Sequence, residues 1–178
     1  MLGERRRVLL KVAITGPEST GKSWLAEKLA FHYHSNWVKE YSREYLYNLG
    51  RPYTLQDVER IADMQMQRIG EASQTMNNFL FADTEMLVCA IWAEYVFGIV
   101  PKSIVKLLQK QHFDLFLLCN IDLPWVPDPL REHPNEREIL FERYESELIQ
   151  LKLPYRIVSG LNNERFFSGV KGVEELIK

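Results

Sequence analysis

An eight-residue loop constrains this chain more than any other feature of its sequence. Residues 16–23 read GPESTGKS and satisfy the phosphate-binding pattern G-x-x-x-x-G-K-[ST]. They stand between the apolar run Val8–Ile14 and a helical pattern that starts near Gly21, which is the strand, loop and helix context that this pattern requires. A glycine-rich turn without a ligand would explain the glycines but gives no reason for Lys22. The loop therefore predicts a bound nucleoside triphosphate.

The residue types of this loop predict roles for individual positions. Gly16 and Gly21 allow backbone torsions and close approaches that a Cβ would prevent, so successive N–H groups can point at phosphate oxygens where a helix begins. Lys22 is expected to reach the β- and γ-phosphates, and the hydroxyl of Ser23 to bind Mg²⁺. The residues expected to bind the Mg-nucleotide are Gly16, Glu18, Ser19, Thr20, Gly21, Lys22, Ser23 and Trp24.

Length and composition limit the class of protein. The 178 residues suffice for one domain with a core, and 12% aromatic residues with a mean hydropathy of -0.24 argue against disorder. The net charge is -2, and the basic run Arg5–Arg7 is too short for a nucleic-acid-binding face. No apolar stretch is long enough to span a bilayer, and the first residues begin no signal peptide.

The two cysteines, Cys89 and Cys119, stand in apolar patterns and read as buried, reduced thiols. We therefore expect one domain over residues 1–178, located in the cytoplasm, that binds neither nucleic acid nor membrane. The partner is a small molecule, and the oligomeric state stays open.

Apolar runs alternate with helical patterns along the whole chain. Strand-like runs occupy residues 8–14, 37–39, 79–82, 113–119 and 155–158. Helical patterns occupy residues 21–34, 42–49, 54–74, 84–96, 101–111, 135–151 and 162–176. This alternation predicts an α/β fold, a five-stranded parallel sheet with helices on both faces. Ligands of such sheets bind at the carboxyl ends of the strands, so the residues that follow each strand are candidates for the site.

Carboxylates follow two of the predicted strands. Asp83 comes directly after the strand at 79–82, where P-loop proteins place a carboxylate that holds Mg²⁺; alternatively, it caps the next helix. Residues 40–44, EYSRE, concentrate three charges at the end of the second strand. A carboxylate here could accept the proton of an attacking hydroxyl while Arg43 steadies phosphate charge, or the segment is only a salt-bridged helix start. The catalytic base is thus Glu40 or Asp83.

A proline-rich loop, WVPDPLREHP at 125–134, connects the fourth strand to the next helix. It could close over the triphosphate, with Arg131 stabilising the transferring charge and water excluded, or it is a rigid connection. Asp122, just before it, is a candidate for positioning the substrate or the metal. The helix that follows, with Arg137 and Arg143 among glutamates, reads as a solvated face.

Trp92 and Tyr95 stand three residues apart in an apolar helical pattern. Such a pair is typical of core packing, and the alternative is one wall of a substrate pocket. The sequence leaves both interpretations open.

Four segments together resemble one known family. The segments GPESTGKS, EYSRE, Asp83–Glu85 and 125–131 are similar to the nicotinamide riboside kinase domain of NadR, over about Val8 to Leu176. The resemblance implies a P-loop NTPase fold of the nucleoside-kinase type and ATP-dependent, Mg²⁺-dependent phosphorylation of the ribose 5′-hydroxyl of nicotinamide riboside.

Motifs and resemblance together give the candidate site residues. The catalytic candidates are Lys22, Glu40, Arg43, Asp83 and Arg131, and the metal candidates are Ser23 and Asp83. The substrate candidates are Glu40, Tyr41, Arg43, Asp83, Trp92, Asp122 and Asp128.

Two positions depart from the family's pattern. Lys39 stands where NadR has a tryptophan that stacks on nicotinamide, with Trp37 two residues earlier, and Pro129 replaces a glycine of the proline-rich loop. The first departure concerns the substrate, so a kinase for another nucleoside or small metabolite is an alternative. A regulatory P-loop ATPase is another, although the absence of an N-K-x-D guanine-reading sequence argues against a GTPase switch. The adenylyltransferase and DNA-binding portions of NadR have no counterpart, so we expect a standalone kinase.

Overall fold

The strands form one parallel sheet, as predicted. The computed structural model describes residues 9–75 and 78–178, and the run Arg5–Arg7 lies outside them. The strands are β1 (Leu10–Thr15), β2 (Trp37–Val38), β3 (Phe79–Asp83), β4 (Leu115–Cys119) and β5 (Tyr155–Val158). Their order is β2-β3-β1-β4-β5, and every neighbouring pair is parallel. Because β1 lies between β3 and β4, the segments that follow these three strands meet at one edge of the sheet.

Helices cover both faces of the sheet. They are α1 (Lys22–His32), α2 (Tyr41–Tyr47), α3 (Leu55–Thr75), α4 (Met86–Phe97), α5 (Lys102–Lys110), α6 (Arg137–Gln150) and α7 (Asn163–Ile177). The alternation along β1 decides the faces: Val12 and Ile14 pack against α1 and α7, and Ala13 packs on the side of α3, α4 and α6. Both faces are apolar, which explains the near-continuous apolar runs of the strands.

The start of α4 shows whether Asp83 caps this helix. Asp83 is the last residue of β3, and Thr84 follows it with a φ of 76°, which a helix cannot accommodate. The helix begins only at Met86, and its cap is Glu85, whose carboxylate accepts a hydrogen bond of 2.6 Å from the Leu87 N–H. The capping interpretation of Asp83 is therefore wrong.

Two further expectations concern the membrane and the cysteines. In residues 9–75 and 78–178, no helix has the length and apolar character needed to cross a bilayer.

Cys89 and Cys119 are both buried free thiols, and burial raises the pKa of Cys119 to about 11 and that of Cys89 further. Both stay protonated at neutral pH, so they serve packing and not nucleophilic chemistry.

Candidate active site

The loop at 16–23 has glycine at two positions with backbone torsions that residues with a side chain rarely adopt. Gly16 and Gly21 have φ values of 124° and 77°. A Cβ on Gly16 would lie 3.0 Å from the carbonyl oxygen of Cys119, and one on Gly21 would lie 2.9 Å from Cδ1 of Leu123. The Thr20 hydroxyl closes the loop by donating a 2.7 Å hydrogen bond to the Pro17 carbonyl. Torsion favours glycine at both positions, and at Gly16 the backbone of Cys119 also leaves no space for a side chain.

Lys22 occupies the mouth of this loop. Its Nζ donates to the carbonyl oxygens of Gly16 and Pro17, at 2.9 and 2.7 Å. Lys22 is also the first residue of α1, and among the described residues no side chain caps that helix at Gly21. The N–H groups of the first turn, the positive end of the helix dipole and the ammonium therefore converge on one point, which favours an anion such as a phosphate.

Asp83 has the properties of a metal-binding carboxylate. It is only 1% exposed, and within residues 9–75 and 78–178 its Oδ1 has no hydrogen-bond partner. Burial, followed by the nearby charge of Glu40, raises its pKa to about 6, while a hydrogen bond from Ser23 acts in the opposite direction. A buried carboxylate oxygen without a partner, beside a serine hydroxyl at the phosphate loop, is a donor set that fits a hard cation such as Mg²⁺.

Gln65 connects Asp83 to the segment EYSRE. Its side-chain amide donates to the carbonyls of Asp83 and Thr84, at 3.2 and 3.1 Å, and its Oε1 accepts from the N–H of Tyr41, at 2.9 Å. Gln65 is only 1% exposed, so it ties the start of α2 to the end of β3 inside the protein. The sequence analysis missed this residue; its signal is a polar side chain on the apolar face of amphipathic α3.

Glu40 and Arg43 both line the cavity described below. The Glu40 carboxylate accepts a 2.6 Å hydrogen bond from the Ser42 hydroxyl, and its other oxygen lies 3.9 Å from Nε of Arg43. Arg43 in turn donates to Asp128 at 2.7 Å, which raises the pKa of Arg43 and lowers that of Asp128. Glu44 points elsewhere and pairs with Arg68 at 2.9 Å. The salt-bridged interpretation therefore holds for Glu44, whereas Glu40 faces the cavity.

The proline-rich loop lies against the phosphate loop. The Val126 N–H donates to the Ser19 hydroxyl at 2.9 Å, and the N–H groups of Glu132 and His133 donate to the Glu18 carboxylate at 3.0 and 3.2 Å. Arg131 lies 3.4 Å from the same Ser19 hydroxyl and also donates to the Val126 carbonyl. We call residues 125–134 the lid loop, because these contacts place it directly beside the phosphate loop.

Two arginines behind the phosphate loop have roles that the sequence analysis missed. Arg137 is half-buried and donates to the carbonyl oxygen of Leu123 at 2.9 Å and to that of Ser19 at 3.4 Å, so its assignment to a solvated face is wrong. Arg165 is buried and donates to the carbonyls of Val158 and Asn120, at 3.1 and 3.0 Å, and to the Asp122 carboxylate. Both arginines cross-link segments distant in sequence, for which a single sequence carries no signal.

One cavity of about 630 Å³ connects these elements. Its phosphate end is formed by residues 16–24. Glu40, Arg43 and part of the lid loop lie along its length, with Arg51 and Pro52 at the rim. We call the remaining wall the aromatic end; it consists of Leu46, Leu49, Tyr53, Val88, Ile91, Trp92, Tyr95, Leu140 and Tyr144.

The aromatic end is held together by a short chain of polar contacts. The indole N–H of Trp92 donates to the Tyr53 hydroxyl at 3.2 Å, and that hydroxyl donates to the carboxylate of Glu132 in the lid loop. The rings of Tyr53 and Trp92 lie 5.1 Å apart, edge to face. Burial and the hydrogen bond to Glu132 raise the pKa of Tyr53 to about 12. Trp92 and Tyr95 thus form a cavity wall, the less common of the two sequence interpretations.

Four of the substrate candidates do not line the cavity: Tyr41, Asp83, Asp122 and Asp128. Lys39, which departs from the family's pattern, does not line it either. The Tyr41 ring packs against the guanidinium of Arg68, whose Cζ is 4.4 Å from the ring centroid. Asp122 accepts hydrogen bonds from Arg165 and from the Gly160 N–H, the latter at 2.6 Å. Lys39 is exposed, with its Nζ 5.7 Å from the centroid of the Trp37 ring.

Comparison with known proteins gives a consistent result. Residues 11–165 match the model of a family described as AAA domain. The trifunctional NAD biosynthesis/regulator protein NadR of Escherichia coli is 34% identical over 124 residues, which are 67% of this chain and 30% of that protein. The resemblance to NadR is thereby confirmed. The chain spans about 30% of the length of this curated relative.

Solved structures of NadR have the same fold. One, in complex with NR, has a TM-score of 0.78 at 22% identity and covers 96% of this chain and 50% of its own. A second, in complex with NAD and AMP-PNP, has a TM-score of 0.76 at 22% identity and covers 97% of this chain and 50% of its own. Kinases of nucleosides and nucleotides share the fold at lower scores. The predicted P-loop fold of the nucleoside-kinase type is therefore confirmed.

Proposed function

We propose that this chain, which belongs to the AAA-domain family of P-loop proteins, is a kinase of nicotinamide riboside. It would transfer the γ-phosphoryl group of ATP to the ribose 5′-hydroxyl of that nucleoside. One observation carries the proposal: a single cavity has a phosphate loop at one end, an aromatic wall at the other, and the Glu40 carboxylate along its length. A relative with the same fold binds AMP-PNP, and another binds NR. In this proposal ATP would occupy the phosphate end and the riboside the aromatic end.

The phosphate end would hold ATP by its backbone and by Lys22. Phosphoryl transfer requires little covalent chemistry from the protein, so catalysis consists mainly of positioning and of stabilising charge. Lys22 would exchange its two carbonyl contacts for oxygens of the β- and γ-phosphates. Arg131, beside Ser19, would stabilise the negative charge that develops on the transferring phosphoryl group. The lid loop would exclude water, which would otherwise compete with the acceptor hydroxyl.

Ser23 and Asp83 are the residues that would hold Mg²⁺. When it is bound, the metal neutralises negative charge on the phosphates. The Oδ1 of Asp83, which has no hydrogen-bond partner among the residues that the structure describes, and the adjacent hydroxyl of Ser23 suit this ion, which keeps several waters and takes few protein ligands. In this proposal the raised pKa of Asp83 describes the protein without the ion, because a bound cation would favour the ionised carboxylate.

Glu40 is our choice for the general base. Its carboxylate lines the cavity, whereas Asp83 is buried beside Ser23 and does not line it. The Ser42 hydroxyl orients Glu40, and Arg43 lies close enough to steady charge while Asp128 holds its guanidinium. A carboxylate at this position can accept the proton of a ribose hydroxyl as the phosphoryl group arrives.

A substrate comparison tests the proposal. We expect kcat/KM for nicotinamide riboside to exceed that for adenosine, uridine and thymidine with Mg-ATP, and nicotinamide mononucleotide to be identified by mass spectrometry. ATP consumption should require the added nucleoside. Turnover without any nucleoside would instead indicate an ATPase, and preference for an uncharged nucleoside would indicate a different kinase.

The base is tested with a matched pair of variants. Glu40→Gln should lower kcat by roughly 10² to 10⁴-fold with little change in KM, because the amide cannot accept the proton. Glu44→Gln, which changes a neighbouring carboxylate that faces Arg68, should keep kcat close to that of the wild type. Equal kcat values for the two variants would exclude Glu40 as the base.

A further inference from the structure

The carboxylate of Glu132 lies at the aromatic end without a cationic partner. Glu132 is a lining residue of the cavity, and its carboxylate accepts the hydrogen bond of the Tyr53 hydroxyl. In the part of the chain that the structure describes, Glu132 forms no salt bridge within 4.0 Å with lysine, arginine or histidine. Because Tyr53 stays protonated at neutral pH, this hydrogen bond holds the carboxylate without neutralising it.

The cations that line the cavity do not compensate this charge. Arg51, at the rim, is paired with the two oxygens of Asp57 at 2.7 and 2.9 Å. Arg43 is paired with Asp128 at 2.7 Å. Lys22 and Arg131 lie at or beside the phosphate loop, where a triphosphate would meet their charge. No lysine or arginine that lines the cavity therefore neutralises the carboxylate of Glu132, which is an exposed residue.

Glu132 is held from two sides. Its backbone N–H donates to the Glu18 carboxylate at 3.0 Å, which fixes the residue to the phosphate loop. Its side chain is fixed to Tyr53, and Tyr53 accepts from Trp92. A charge held in this way acts on a ligand without first having to be reoriented.

We propose that Glu132 is the residue by which this cavity distinguishes a cationic pyridinium base from an uncharged base of the same shape. This inference rests on the proposed function and names the determinant of its substrate preference. Aromatic faces also attract cations, but their effect depends on close stacking. The carboxylate supplies a full unit of charge that can be removed while the shape of the wall is kept.

The test compares nicotinamide riboside with its 1,4-dihydro form, which keeps the ribose and the carboxamide but has no charge. Glu132→Gln keeps the length of the side chain and an oxygen that can accept from Tyr53. We expect the ratio of kcat/KM for the cation to that for the neutral form to fall roughly tenfold, as for one charge acting across a partly solvated cleft. The change should lie in KM for the cation, with kcat at saturation unchanged.

Two further variants complete the design. Glu138→Gln removes the same charge from an exposed residue in the first turn of α6 and should leave the ratio within roughly twofold of the wild type. Glu132→Asp keeps the charge on a shorter side chain and should keep the preference for the cation within roughly threefold. If Glu132→Gln does not fold, Glu132→Asp and a Tyr53→Phe variant, which should reduce the ratio by loosening the carboxylate, still test the inference.

The outcomes separate this inference from the function on which it rests. Equal losses for the cation and the neutral form in Glu132→Gln would mean that Glu132 acts only through the lid loop, and the inference would be overturned while the kinase stands. An unchanged ratio would overturn it as well. If the wild type phosphorylates adenosine but neither form of nicotinamide riboside, the proposed function is wrong and the inference is wrong with it.

Discussion

The phosphate end and the aromatic end of the same cavity are built in different ways. The phosphate end is a contiguous stretch, residues 16–24, whose shape depends on the backbone and on two glycines. The aromatic end takes its residues from α2, the segment before α3, α4 and α6, and the lid loop closes over it. The phosphate end is formed by residues that are neighbours in sequence, whereas the aromatic end forms only when helices distant in sequence pack together.

This difference predicts different consequences of substitution. Groups at the phosphate end meet the part of the ligand where charge moves, so their loss should act mainly on kcat. Groups at the aromatic end meet a part of the acceptor that does not react, so their loss should act mainly on KM for the nucleoside. The predictions below test that division, from the largest expected effect to the smallest.

Lys22→Ala should have the largest effect. We expect phosphoryl transfer to fall by roughly 10³-fold or more, because the ammonium of Lys22 lies at the mouth of the loop, against the carbonyls of Gly16 and Pro17. The fold should be kept, since Lys22 is not a core residue. Turnover and the circular dichroism of the folded protein measure the two effects, with Lys28→Ala, an exposed lysine of the same helix, as the control. Near wild-type turnover in a folded Lys22→Ala protein would disprove the role of the phosphate loop.

Asp83→Asn should raise the concentration of Mg²⁺ needed for half-maximal activity on the order of tenfold, because the amide is a poorer ligand than the carboxylate. The reference variant is Asp63→Asn, at an exposed position of α3, for which no change in the dependence on Mg²⁺ is expected. If the activity curves against Mg²⁺ of the Asp83→Asn variant and the wild type coincide, the metal-binding role is wrong.

The same substitution should change stability with pH in a defined direction. The pKa of Asp83 is raised from 3.8 to about 6, so the stability contributed by its neutral form is fully present below the unfolded value and is lost as pH rises through 6. Asp83→Asn is neutral at every pH and should be more stable than the wild type at pH 8 by up to about 3 kcal/mol, a difference that shrinks towards pH 4. Urea unfolding at the two pH values without Mg²⁺ measures it. A variant less stable than the wild type at pH 8 would contradict the expected sign.

Trp92→Phe should raise KM for the nucleoside roughly three- to tenfold while kcat and KM for ATP stay unchanged. The substitution removes the N–H that holds Tyr53 and shrinks the wall of the cavity. Trp37→Phe, at a tryptophan that does not line the cavity, is the matched control. An effect of Trp92→Phe on KM for ATP would show that the two ends do not act separately.

Lys39→Ala should have the smallest effect, with kcat/KM for nicotinamide riboside within about twofold of the wild type. Lys39 lies outside the cavity and over Trp37, so its charge is screened from the site by solvent. Lys39→Trp should change kcat/KM for nicotinamide riboside equally little. A several-fold lower KM in Lys39→Trp would mean that this position reaches the acceptor, and the boundary of the aromatic end drawn here would then be wrong.

Much of the fold was predictable because its signals are local. The five runs of apolar residues became five parallel strands, and the helices differ from the predicted ranges by a few residues at their ends. The start of α4 differs for a physical reason: Thr84 takes a positive φ and Glu85 provides the cap, which leaves Asp83 in the strand. A single sequence favours the wrong residue here, because aspartate is a preferred helix cap and glutamate is not.

The sequence by itself determined the phosphate end, because a strand, a glycine loop and a helix start are neighbours along the chain and the backbone does the binding. Only the tertiary structure decided which side chains share the cavity with that loop. Tyr53 and Arg137 had no local signal, because each makes contact with a segment far away in sequence. Gln65 stands out in the sequence as a polar residue on the apolar face of α3, but the sequence does not show which segments it connects. Their positions depend on the order of the strands and on how the helices pack against both faces, which is a property of the whole chain and not of any motif.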